Sequence, residues 1–346
     1  MYWRLFLKRF YETFVVFAVM FWLFSCSGSP GGVSVLTGDF DTPVFESLKC
    51  ESSRAVTLVF SESVTGTSLE VGKSESVQIE NALMCSLTEK IDAEFVAASS
   101  KVLEVRFLVP TEIGCSYIVR GAVKDSHGNT LTFATIFKGF NERVPQLILS
   151  EVQTKYSNPK AEFVEIYAKT GGNLSGVCIF SAKDGAKMRY EFPAVEVDAG
   201  EFIVAHLRNS EAGIANETGS DLSLSGGTYS SESRDLWAEN SSARLGDKTD
   251  VVLLEKSAGG EVLDAVAFAE SSLEDWPKEI YKEALDRAVK SGVWPSSSIK
   301  DAANGDKLSA TRTISRQTDA VPAGKDGWLV TATNTASPGK PNSSKL

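Results

Sequence analysis

Val56-Thr57-Leu58-Val59-Phe60-Ser61-Glu62-Ser63-Val64 decides how the first half of this chain folds. Val56, Leu58 and Phe60 alternate with Ala55, Thr57 and Val59. Side chains on a strand change face at every residue, so this period of two predicts a half-buried strand. Leu103, Val105 and Phe107 alternate in the same way with Val102, Glu104 and Arg106, and Leu131, Phe133, Thr135 and Phe137 repeat the pattern. No helical periodicity of useful length interrupts them. Short alternating strands separated by turn signals predict antiparallel sheets packed face to face across residues 40–144.

The opening phrase resembles the first strand of bacterial Ig-like domains. Val123-Lys124-Asp125-Ser126-His127-Gly128-Asn129-Thr130-Leu131 resembles their penultimate strand entering an Asp-x-x-Gly-Asn turn.

A second series begins near Pro145. Leu147-Ile148-Leu149-Ser150-Glu151-Val152 and Glu162-Phe163-Val164-Glu165-Ile166-Tyr167 read as strands. Asp198-Ala199-Gly200-Glu201-Phe202-Ile203-Val204-Ala205-His206, Asp250-Val251-Val252-Leu253-Leu254 and Val262-Leu263-Asp264-Ala265-Val266-Ala267-Phe268 follow. Ser315-Arg316 and Ser337-Pro338-Gly339-Lys340-Pro341-Asn342 close the series. Taken in order, residues 145–343 resemble the lamin-tail domain, which implies a compact Ig-like β-sandwich. The expected fold is therefore all-β: two Ig-like β-sandwiches in tandem, the second with a helical insertion.

Two stretches depart from a compact sandwich. Residues 208–242 are rich in Ser, Gly and Asn and read as a long surface loop. Residues 271–292 read as a helix, with Ser272 as cap, Pro277 in the first turn and Gly292 as stop. Trp276, Ile280, Ala284 and Ala288 form its apolar stripe.

The N-terminus places the chain in a cell. Arg4, Lys8 and Arg9 precede an apolar run from Phe14 to Phe24, and Cys26 follows, ahead of Ser27-Gly28-Ser29-Pro30. A bilayer-spanning helix needs roughly 20 apolar residues, and this run is shorter. The layout is that of an export signal, and it resembles a bacterial lipoprotein signal. The resemblance implies removal of residues 1–25, acylation (palmitate included) of Cys26, and a tether over 26–39. The resulting protein is a membrane-anchored component of the bacterial cell envelope, expected at the outer membrane. A plain cleaved signal is the alternative.

Net charge is −10 for the whole chain. Loss of three basic groups and one acid with the signal makes it −12, which argues against nucleic acid as a partner, because phosphate neutralisation supplies most of that affinity. Cys50, Cys85, Cys115 and Cys178 permit three pairings in an oxidising compartment. A bridge in the first domain and a set of buried thiols both remain open.

Candidate chemistry is sparse. Asp125 and Asn129 are weak metal candidates, since calcium asks for six to eight oxygens and this loop offers few; a tight turn suffices to account for them. No metal or cofactor is otherwise expected. Glu162 and Glu165 point to opposite faces of one strand and cannot converge on a substrate. Glu165 needs a partner if its face is buried, and Arg316 is the expected one, in a structural ion pair. His206 is expected at a surface strand end. Trp237, Trp276 and Trp294, with Trp328, form a possible binding surface, though packing of the loop and helix excursions onto the sandwich is the simpler account of them. There is no GxSxG, HExxH or P-loop motif, so no catalytic residue is expected. The expected function is non-enzymatic: adhesion or scaffolding through a protein or glycan partner. The alternative is an accessory binding subunit of an exported hydrolase or nuclease, because bacterial lamin-tail domains often accompany such enzymes.

Overall fold

A computed structural model describes residues 40–79, 82–96, 99–155, 162–183, 185, 189–209, 211–227, 233–242 and 244–342. The signal, Cys26 and the whole tether lie outside the described residues. The fold is all-β: two sandwiches in tandem, with a helical insertion in the second.

The first sandwich is built around one long strand. Its elements are β1 (Phe45–Ser52), β2 (Ala55–Ile79), β3 (Ala82–Ile91), β4 (Ala93–Phe95), β5 (Ser100–Phe107), β6 (Ser116–Lys124) and β7 (Thr130–Lys138). The first part of β2 pairs with β1 and β5, and β4 extends that sheet beyond β5. Its later part pairs with β3 and β6, and β7 lies outside β6. β2 thus passes from one sheet to the other, its register shifting between Val59 and Val64 and again near Gly66. Between the sheets lie Val56, Leu58, Phe60, Leu103, Val105 and Phe107, all within 1% of full burial. Phe45, Phe60 and Phe133 close one end of this core, with ring centroids 5.6–5.8 Å apart.

In the second domain the chain continues as β8 (Leu147–Gln153), β9 (Phe163–Ala168), β10 (Gly172–Asn173), β11 (Cys178–Ser181), β12 (Arg189–Glu191), β13 (Glu196–Val197), β14 (Phe202–His206), β15 (Arg234–Trp237), β16 (Asp250–Glu255) and β17 (Val262–Ala269). Helix α1 (Glu279–Lys290) follows, then β18 (Ala303–Asn304), β19 (Ile314–Arg316) and β20 (Trp328–Val330). One sheet runs β15-β14-β9-β8-β19-β20 and the other β12-β11-β16-β17-β18, while β10 and β13 form a small ribbon. Leu149, Val152, Ile166, Ile203, Val252, Leu254 and Val266 fill the space between the two sheets.

Helix α1 is shorter than the sequence suggests. It starts at Glu279, with Lys278 as an N-cap that makes no side-chain bond. Pro277 lies before the helix, because proline disfavours helical backbone at the preceding residue, here Trp276. Ser271, near the expected cap, binds Asp306 instead. The buried face is Tyr281, Ala284, Leu285 and Ala288. Just beyond the last turn, Gly292 takes a φ of 74°, a left-handed value that ends helices. Buried Glu255 ties the helix to the sheet, accepting from Arg287 Nη1 at 2.6 Å and Arg189 Nε at 2.8 Å.

The 208–242 stretch is not simply surface loop. It supplies β15, which pairs in parallel with β14 and buries Leu236 and Trp237. Four residues are too few to show a period, so the sequence carries no strand signal there. Cys50, Cys115 and Cys178 are free thiols, which removes a bridge among these three.

Candidate binding face of the second domain

The outer face of the six-stranded sheet holds most of the groups that chemistry in this domain would use. Register sets Ile148 against Tyr167 and Tyr167 against Phe202, and a bulge at Ser150 brings Glu151 opposite Glu165. His206 and Trp237 lie on the same side further along, opposite each other across β14 and β15.

Two coverings take much of this face out of water. The C-terminal stretch, residues 331–342, crosses β8, β9 and β19. Ser337 donates its backbone N–H to Glu151 Oε2 at 2.9 Å, and Gly339 donates its own to Glu165 Oε2. Glu151 Oε1 accepts from the hydroxyls of Thr313 and of Ser315, the latter at 3.0 Å. Asn342 Nδ2 donates to the carbonyl oxygens of Ser150 at 3.0 Å and Arg316 at 3.1 Å. Both glutamates are fully buried. Burial pushes the Glu165 carboxyl up to about 8; the Ser150 hydroxyl and Gly339 N–H oppose this, and the nearby Glu151 adds to it. Burial also raises Glu151, against its hydroxyl and N–H donors.

Arg316 does not pair with Glu165. Its guanidinium bonds Asp264 of the opposite sheet through Nη2, donates through Nε to the Leu149 carbonyl at 2.6 Å, and stacks 4.9 Å over Trp328. The reason lies in direction: Glu165 projects outward from the sandwich, whereas Arg316 reaches between the sheets to β17. No Glu165–Arg316 ion pair exists among the described residues.

The second covering is the 207–242 excursion. His206 is fully buried, not a surface strand end. Its Nε2 lies 2.7 Å from Asp235 Oδ1, and its ring stacks on Trp237 with centroids 3.7 Å apart. Trp237 Nε1 donates to Ser225 Oγ at 2.8 Å. Beneath them Glu217 accepts backbone N–H bonds from Ser225 and Asp235. Glu162 accepts from the N–H groups of Arg244 and Leu245, and burial still lifts its carboxyl to about 7. Burial likewise lifts Asp250 to about 6, against donors that include Ser181 and Gly246.

The tryptophans do not make a shared contact surface. Trp237, Trp294 and Trp328 are 5%, 2% and 5% exposed: Trp294 and Trp328 belong to the core, and Trp237 is sealed under the second covering. Trp276 is half-buried, stacks against Tyr281, and donates through Nε1 to the Ser297 carbonyl at 3.0 Å. In the first domain, Asp125 and Asn129 hold a turn. Asp125 Oδ1 accepts the N–H groups of His127 and Asn129, both at 2.8 Å, and Oδ2 accepts Asn129 Nδ2 at 2.7 Å. Those oxygens accept the loop's own donors.

Two grooves mark the second domain. One, of about 830 Å³, runs past Glu270, Glu274, Lys300, Lys325 and Asp326. Two of these charges pair with residues beside the groove, Lys325 with Asp301 at 3.7 Å and Glu270 with Lys248 at 3.6 Å. The other, of about 630 Å³, lies where the coverings stop, over Ile148, Tyr167 and Phe202. Sequence reasoning missed this second groove. The alternation that puts Tyr167 and Phe202 on one face was readable, but which part of the face stays uncovered depends on the tertiary path of residues 331–342.

Residues 145–330, more than half of the chain, match the family model described as TP_1001_2nd, protein second domain, and the chain belongs to that family. An uncharacterized protein of Treponema pallidum (strain Nichols) is 28% identical over 223 residues, covering 62% of this chain. The chain spans about half the length of that relative, 56% of it. A crystal structure of a DUF4876 family protein from Bacteroides thetaiotaomicron VPI-5482 overlaps 78% of this chain and 90% of its own at 12% identity. Its TM-score is 0.30, too low to carry an argument.

Proposed function

We propose that this chain is a non-catalytic, lipid-anchored cell-envelope protein that acts in adhesion or scaffolding through its two sandwiches. In this reading Cys26 bears the lipid and residues 145–343 form a lamin-tail domain. One observation supports the non-catalytic part: the groups suited to acid–base work are sealed under coverings and bonded to the fold. A general base must come within hydrogen-bond reach of its substrate, whereas Glu151, Glu165 and His206 are fully buried and meet protein. The thiols fare no better as nucleophiles, since the thiolate is the reactive form. Burial, with the Glu51 charge, raises Cys50 to about 11, and burial first of all raises Cys178 to about 12.

The test is metabolic labelling with a palmitate analogue, followed by detergent phase separation. Wild-type protein is expected to be labelled and to partition with detergent, and Cys26→Ser to be unlabelled and aqueous. Equal labelling of both would overturn the anchor. Protease treatment of intact and permeabilised cells then separates the two roles. Digestion in intact cells supports adhesion, whereas protection until permeabilisation removes adhesion and leaves the internal scaffold.

A further inference from the structure

The groove over Ile148, Tyr167 and Phe202 is built from three neighbouring strands of one sheet. Cross-strand register puts these side chains in a row, and the rings of Tyr167 and Phe202 lie 4.8 Å apart, tilted by 48°. Both rings are only partly buried, so an apolar face remains open to a ligand. The Tyr167 hydroxyl makes no hydrogen bond among the described residues. Gly200, at the groove's edge, has a φ of 91°, where a side chain would be strained, and the position where a Cβ would stand is 4.0 Å from that hydroxyl. A glycine here keeps the approach to the ring low.

The walls are anchored from behind. One is the 317–319 segment, held by Lys169 Nζ donating to the Asp319 carbonyl at 2.8 Å. The other is Pro341–Asn342, held by the Asn342 amide on Ser150 and Arg316. Such a groove is preorganised, which reduces the ordering cost of binding. Its volume of about 630 Å³ falls in the range, roughly 300–1,000 Å³, of small-ligand sites.

Charge selects the ligand class. Arg316 lines the groove, but its guanidinium turns inward to Asp264 and the Leu149 carbonyl, so it offers no free cation to an anionic ligand. What faces outward is one carboxylate, Asp319, a tyrosine hydroxyl and two aromatic faces; the Gln317 amide nitrogen is held by the Ser315 and Arg316 carbonyls, which leaves its oxygen as the acceptor. A ligand that fits has an apolar face for the rings and hydroxyls around its rim. We propose that this groove binds a neutral saccharide: sugar C–H groups lie on Tyr167 and Phe202, and sugar hydroxyls bond Asp319, Gln317 and the Tyr167 hydroxyl. The proposal deepens the adhesion reading and rests on it for its setting, but the site itself is independent of the anchor.

The test uses the purified mature chain on an array of neutral and charged glycans, with hits titrated by calorimetry. Wild-type protein is expected to bind neutral oligosaccharides and Tyr167→Ala to bind them about tenfold more weakly. Because Tyr167 also packs against Phe202, exposed Asp319→Ala serves as the second variant, with weaker binding and an unchanged Tm expected. Lys300→Ala, in the other groove, is expected to bind like wild type. Absence of glycan binding, capture of peptides instead, or affinities indifferent to both Tyr167→Ala and Asp319→Ala would overturn the proposal. Labelling and protease results do not depend on any of these outcomes, so the adhesive reading and the saccharide site fail separately.

Discussion

In the first sandwich Arg120 Nε and Glu70 meet at 2.8 Å with nearly half of each side chain in water, whereas in the second Arg316 and Asp264 meet at 3% and 0% exposure. The first domain follows the simple rule of a sandwich, apolar residues inward and charges outward. The second turns polar residues outward and then covers them, so Glu151, Glu165, His206 and Asp235 lie in a second buried layer. Outward polarity on a strand is thus no guarantee of solvent. Buried groups become tolerable only when each finds donors, and here the chain's own C-terminal stretch supplies several of them.

The contrast predicts unequal responses to mutation. All tryptophans after residue 39 (Trp237, Trp276, Trp294 and Trp328) belong to the second domain, so their fluorescence follows its unfolding alone. The largest effect is expected for Arg316→Ala, which strands Asp264 inside the protein. Breaking a buried pair costs about 3–5 kcal/mol, read as a lower urea midpoint in tryptophan emission. An unchanged midpoint would dissolve the contrast. Leu285→Ala should follow at about 3 kcal/mol, as expected for a large-to-small change at a fully buried helix position.

Next comes pH. Glu165 binds its proton more tightly in the folded chain, at about 8 against an ordinary value of 4.5. Its contribution to stability is therefore complete below about pH 4.5, declines as pH rises, and is gone above about 8. Glu162 and Asp250 act in the same direction. Glu255 acts oppositely. Burial works against its charge, but Arg189, the Gly259 N–H and Arg287 hold the carboxyl low, so its contribution is lost on acidification. Glu165→Gln should flatten the alkaline decline between pH 5 and pH 8. Equal slopes in both proteins would remove Glu165 from the account. The smallest effect belongs to the first domain: Arg120→Ala should cost under about 1 kcal/mol, because exposed pairs contribute little. Far-UV circular dichroism is the readout there, and a larger loss would make the two domains alike.

Much of this fold could be read from residue order. The alternation of Val56, Leu58 and Phe60 yields a strand with those three fully buried, and the second domain begins near Pro145, where the family match also begins. The helix was legible by its apolar spacing, but its start was not, since Pro277 moved the first turn to Glu279. Partners across the sandwich were the least legible. Nothing in the order of residues says that Arg316 reaches Asp264 and leaves Glu165 to Gly339. His206 ends an apolar strand and reads as a surface residue; only the return of residues 234–237 as a parallel edge strand buries it. Both failures have one cause, which is that coverings formed by distant, weakly patterned segments decide what is buried.

Amide hydrogen exchange at Ser337 and Gly339 tests the covered polar layer most directly. These two N–H groups donate to Glu151 and Glu165. If residues 331–342 seal the carboxylates, both amides exchange as slowly as that of Val164, which lies in the underlying strand β9. Free exchange at Ser337 and Gly339, while Val164 stays protected, would mean that the carboxylates are open to water and that the second buried layer does not exist.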